Sequence, residues 1–126
     1  LKENGSSKND LIAAIGPAIS KFNYDVDIST LISIHEGIKD SNRILKAQEK
    51  IEYLESLKIV EKRLNSDKFF LDIRLAAVQQ LKLSGLDINQ IAANKNCTFN
   101  EENHFHSWRR SNKKKYQWSG IMTKEV

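Results

Sequence analysis

The feature that most constrains this chain is a run of five residues without a polar side chain, residues 11–15 (LIAAI), stopped by Gly16-Pro17. Periodicity over five residues does not separate strand from helix. The abrupt end does: Pro17 biases Gly16 away from the helical region, so a helix cannot run on through the pair. The run therefore reads as a short strand buried on both faces. Such a strand needs partners at its edges and cover on both sides, and a chain of 126 residues can build one core of that kind. We expect a single domain over residues 1–126.

The rest of the pattern supplies the cover. Residues 1–9 (LKENGSSKN) are polar, include Gly and Ser, and read as a loose lead-in. Residues 27–37 carry Ile28, Leu31, Ile32 and Ile34, with Ile38 following, at spacings that suit a short helix. In residues 41–64, Leu45, Ile51, Leu54, Leu57, Val60 and Leu64 recur at mixed three- and four-residue steps, Ser41 is available as N-cap, and no Gly or Pro interrupts. That predicts a long amphipathic helix, broken at most once, within a helical segment 40–66. Residues 69–83 read as another amphipathic helix, entered through Asp67 or Asp72 and closed by Gly85. Residues 88–93 read as a strand, and residues 105–110 and 117–123 as two strands of a hairpin joined by a basic turn. The order strand, helices, strand, strand, strand gives an α+β fold, a mixed β-sheet flanked by amphipathic helices.

The net charge of +4 is concentrated: residues 109–115 hold five basic side chains and no acidic one. Beside Trp108, Tyr116 and Trp118 such a run can hold phosphates and stack bases. The simpler reading is a solvated turn between strands, so a nucleic-acid partner is not favoured. No apolar run approaches the roughly 20 residues that cross a bilayer, and no signal peptide is visible. The single cysteine, Cys97, excludes an internal disulfide and suits a reducing compartment, the cytoplasm. Cys97, His104 and His106 have a spacing with some likeness to a zinc site, but a structural zinc takes four ligands and no fourth lies close in sequence, while His35 is far away. There is no GxGxxG, P-loop, Ser-His-Asp order or CxxC. A self-contained catalytic constellation is not expected, and the chain by itself is expected to hold no metal.

Three segments, in order, carry a resemblance: residues 13–26 (AAIGPAISKFNYDV), residues 70–85 (FLDIRLAAVQQLKLSG) and residues 97–110 (CTFNEENHFHSWRR), followed by QWSGIM. Together they are similar to the back half of the YfiH-like laccase-domain family, over about half the chain. The resemblance implies a partial YfiH-like α/β sandwich. It also implies an enzyme family once described as polyphenol oxidases or laccases and better regarded as purine nucleoside phosphorylases. These cleave adenosine, inosine or methylthioadenosine with phosphate (a transferase reaction) and deaminate adenosine (a hydrolase reaction). The family holds zinc, or copper, with two histidines and a cysteine in its front half, around motifs absent here. The chain starts at Leu1 rather than Met, and the expectation is a C-terminal portion that lacks the metal-bearing half and is inactive alone. His106 and Trp108 stand where the family has Phe and Tyr.

Within that resemblance, the residues expected to meet purine nucleoside and phosphate are Arg109, Arg110, Gly16 and Pro17. A guanidinium forks onto phosphate through two N–H groups, and glycine lets a ligand approach the backbone. On a strand, Arg109 and Arg110 would point to opposite faces; the alternative role for either is to pair with a carboxylate such as Asp72 or Glu101. The expected partner is the missing half or a second copy. A small basic nucleic-acid-binding module and a degraded remnant of an enzyme are the other readings.

Overall fold

The computed structural model describes residues 7–38, 44–118 and 120. Among them the strands are β1 (Ala13–Ile15), β2 (Asp25–Val26), β3 (Val60–Lys62), β4 (Phe69–Leu71) and β5 (Ile91–Ala93). The helices are α1 (Ile28–Ile38), α2 (Ala47–Ser56), α3 (Ile73–Leu83) and the single turn α4 (Trp108–Ser111). The α+β class holds, but the strands divide between two small sheets. β1 pairs in parallel with β5, and β2, β4 and β3 form an antiparallel sheet in that order.

The core belongs to the antiparallel sheet. Val26, Val60, Phe69 and Leu71 pack under Leu31 and Ile38 of α1, Ile51 and Leu54 of α2, Ile59 and Ala76. α1 is the helix expected there. The Asp27 carboxylate accepts the Thr30 N–H at 2.9 Å and the Ser29 hydroxyl at 2.7 Å, which stabilises its first turn. Ser29 and then Thr30 hold its pKa down at about 2. α3 is capped by Asp72, which accepts from the Leu75 N–H, and ends in a Schellman motif at Gly85 with φ 94°.

Several expectations are corrected. The run at 11–15 does contain a strand, but it is not buried on both faces: Ile12 is 84% exposed, Ala14 is exposed and Ala13 and Ile15 are half-buried. The long helix over 41–64 is α2 followed by a reversal and β3, and Ser41 lies outside the described residues. Phe69–Leu71 is a strand, so the following helix begins only after Asp72. Ile88–Gln90 is a 3-10 turn and only Ile91–Ala93 is strand. Residues 105–110 do not form a hairpin strand, because Trp108–Ser111 is helical and Asn112 closes it in the left-handed region. The second hairpin strand, 117–123, lies largely outside the described residues, and its described members have no regular structure. Among the described residues no helix is long and apolar enough to cross a membrane.

Candidate functional site

The Gly16-Pro17 turn leaves the end of β1 exposed, and the backbone that follows turns onto the 97–100 loop. Ala18 bridges to Cys97, and the Thr98 N–H donates to the Ala18 carbonyl at 3.2 Å. Gly16 lines a shallow cleft of about 410 Å³ with Ala14, Ile15, Ala92, Ala93 and Asn94. A Cβ placed on Gly16 meets nothing within 4 Å, so space above this backbone is open.

Cys97 is buried on the inner side of that loop. Its sulfur lies 3.2 Å from the Ser20 N–H and 3.1 Å from the Ser20 hydroxyl. Burial alone would push the thiol up. The Ser20 hydroxyl and the backbone N–H groups of Asn100, Ser20 and Phe99 outweigh it and bring the pKa down to about 7.

The two arginines follow on α4 and have different partners. Arg110 points inward: one terminal nitrogen donates to the Thr98 and Phe99 carbonyls at 2.9 and 2.6 Å, the other to the Phe105 carbonyl at 2.7 Å. Its Nε is buried without a hydrogen bond and stands 3.8 Å from Glu102. This fork ties the 97–105 loop into one unit. Arg109 points the other way, onto the Tyr24 ring at 4.8 Å and the Asp25 carboxylate at 3.1 Å. Asp25 also receives Arg63 at 3.1 Å and Lys68 at 3.3 Å. Burial raises the Asp25 pKa, but Lys68, the backbone and Arg109 together bring it below its usual value. The carboxylate partners are therefore Asp25 and Glu102; Asp72 serves as a helix cap, and Glu101 accepts the Cys97 N–H.

Gly16 and Arg110 line different clefts, the latter one of about 200 Å³ with Glu102, His106, Ser107, Ser111, Lys113 and Lys115. What joins them is the chain of contacts from Ala18 through Cys97 and Thr98 to the Arg110 guanidinium. The Asp25 cluster that receives Arg109 was not foreseen. Its only sequence signal is Tyr24-Asp25 in one matched segment and Arg109 in another.

A family model described as multi-copper polyphenol oxidoreductase laccase matches residues 1–124. The chain belongs to that family. A purine nucleoside phosphorylase of Synechocystis sp. is 31% identical over 121 residues, covering 94% of this chain and 46% of that protein. This laccase-family chain thus spans less than half the length of the curated relative it matches. The crystal structure of YlmD from Geobacillus stearothermophilus has the same fold, with a TM-score of 0.63 and 24% identity over 87% of this chain and 35% of that one.

The family description names copper, and the residues present do not fit such a centre. Among the described residues no three His, Cys, Asp or Glu side chains come together to hold a metal ion. Cys97 is buried among hydrogen-bond donors, His104 and His106 are exposed, and His35 is in the core against Tyr53.

Proposed function

We propose that this laccase-family chain is one portion, the C-terminal one, of a purine nucleoside phosphorylase, and that it supplies the phosphate-side wall of the substrate pocket while the metal-bearing portion comes from elsewhere. The observation that carries this is the 31% identity to a purine nucleoside phosphorylase across 94% of the chain. The reaction would transfer the ribosyl group of adenosine, inosine or methylthioadenosine from the purine to phosphate, with adenosine deamination as a second activity at the metal of the complete enzyme, zinc or copper. Its setting would be the cytoplasm, where a single thiol stays reduced.

In this reading Arg109 is the better placed of the two arginines for phosphate. Arg110 spends both terminal nitrogens on backbone carbonyls, whereas the Arg109 side chain is 39% exposed and lies in a cluster of three cations around one carboxylate. Positive charge in excess there would favour an incoming dianion. The Gly16-Pro17 turn would admit the ligand, since the space above Gly16 is open.

The test measures phosphate-dependent release of purine base from inosine and adenosine. The chain alone should show none; the chain supplied with the metal-bearing portion of a family member, fused or added in trans, should show turnover. Gly16→Ala should leave folding intact, because its Cβ meets nothing, and should raise KM; Arg109→Ala should raise the KM for phosphate by on the order of tenfold. Turnover by the chain alone would remove the idea of a divided site. A reconstituted assembly that consumes no nucleoside would remove the phosphorylase.

A further inference from the structure

We propose that Trp108 and Lys113, Lys114 and Lys115 form a binding site for single-stranded nucleic acid, one base lying on the indole and successive phosphates following the lysines. The sequence alone makes this basic run a solvated hairpin turn, and the structure removes that hairpin. α4 ends at Asn112, whose φ of 52° swings the chain back. Lys113, Lys114 and Lys115 then line, together with Trp108, an open cleft of about 440 Å³.

Three observations select the ligand. The floor of the cleft is an aromatic face, since Trp108 is 62% exposed, and an exposed indole stacks any base regardless of sequence. The walls are cationic and uncompensated: among the described residues Lys113, Lys114 and Lys115 form no ion pair, in contrast to Arg109 and Arg110 just before them. The cationic line also extends beyond one phosphate. Lys113 and Lys115 line the Arg110 cleft as well, where Glu102 is the single acidic group, so the two clefts share a basic ridge. A ridge that spans two clefts suits a polymer of phosphates better than one nucleotide. This inference is independent of the phosphorylase reading.

The experiment titrates the full chain carrying Trp118→Phe, which leaves Trp108 as the one remaining tryptophan of two, with oligothymidylates of increasing length, following indole fluorescence. Expected are quenching on binding, affinity that rises with length, and a log–log salt slope of about −2 for three lysines on a single strand, so that affinity falls about 20-fold between roughly 50 and 200 mM salt. Replacing the three lysines by Ala should flatten the slope, and Trp108→Ala should weaken binding on the order of tenfold while circular dichroism and melting stay unchanged. Thymidine monophosphate bound as tightly as the oligomer would overturn the polymer site. So would heparin bound equally well with no dependence on Trp108, which would reduce the ridge to an unspecific cationic patch. Absence of binding at low salt would end the proposal.

Discussion

Asp25 shows how one side chain can join distant parts of a chain. It stands next to β4 in the antiparallel sheet, and its carboxylate receives Arg63 and Lys68 from the β3–β4 reversal and Arg109 from α4. Exposed ion pairs taken singly contribute little, but a network around one partly buried carboxylate contributes more. Because its folded pKa lies below the ordinary 3.8, its contribution is complete above that value and is lost as pH falls through the lower folded value. We expect Asp25→Asn to melt below the wild type at neutral pH, and the gap to close as pH falls below about 4. Melting temperatures for both proteins from pH 7 to pH 2 would check this; a gap that stays constant through the acid range would contradict it. Cys97 and Arg110 make the same lesson from the other side. Sequence singled both out for their chemistry, and the structure uses their donors and acceptors to hold the 97–105 loop together.

Elements were legible where punctuation and period agreed. α1 and the Gly85 stop of α3 were readable because an apolar stripe and a left-handed glycine each do one thing; the Asp27 carboxylate that caps α1 went unread. β3 was not readable. Leu57, Val60 and Leu64 keep helical spacing across the point where the helix ends. The stop is a Schellman motif made by Lys58, with φ of 59°, whose N–H donates to the Glu55 carbonyl while the Ile59 N–H donates to the Leu54 carbonyl. A lysine gives no hint of that conformation. Phe69–Leu71 failed for a related reason: three apolar residues just before an amphipathic helix extend its pattern by a turn, and only the Asp72 cap marks the true start. The two arginines were found as a pair and placed wrongly as strand neighbours, since four residues of helix are too short to show a period. The Lys58 stop carries a prediction. A non-glycine residue in the left-handed region costs about 1–2 kcal/mol, and glycine gives back part of that in the unfolded chain. Lys58→Gly should therefore raise stability by roughly 0.5–1 kcal/mol and Lys58→Val should lower it, measured by denaturant unfolding. Equal midpoints for all three proteins would show that the reversal is not strained.

At the scale of the molecule the two sheets are unequal. The antiparallel sheet has α1 and α2 over it and holds Val26, Val60, Phe69 and Leu71 in the core; β1 and β5 contribute no residue to that core. Instead they are three residues each and, among the described residues, pair only with one another, with Ile12, Ala14, Ala92 and Ala93 exposed. Parallel strands are normally buried on both faces, and an unpaired edge exposes hydrogen-bonding groups that another strand can take up. What holds this pair in place is local: α3 packs against both strands, Arg74 donates to the Asn94 carbonyl at 2.8 Å, and Gln90 donates to the Leu11 carbonyl at 2.7 Å. A few exposed hydrogen bonds of that kind open far more readily than a packed core. Backbone amides of residues 13–15 and 91–93 should therefore exchange with solvent well before those of Leu71 and Leu54, by about two orders of magnitude or more in protection. If the metal-bearing portion proposed above docks on this edge, adding it should protect the first set selectively. Uniform protection across both sheets in the chain alone would mean that β1 and β5 are already part of the cooperative core, and a second polypeptide would then have no sheet edge to complete.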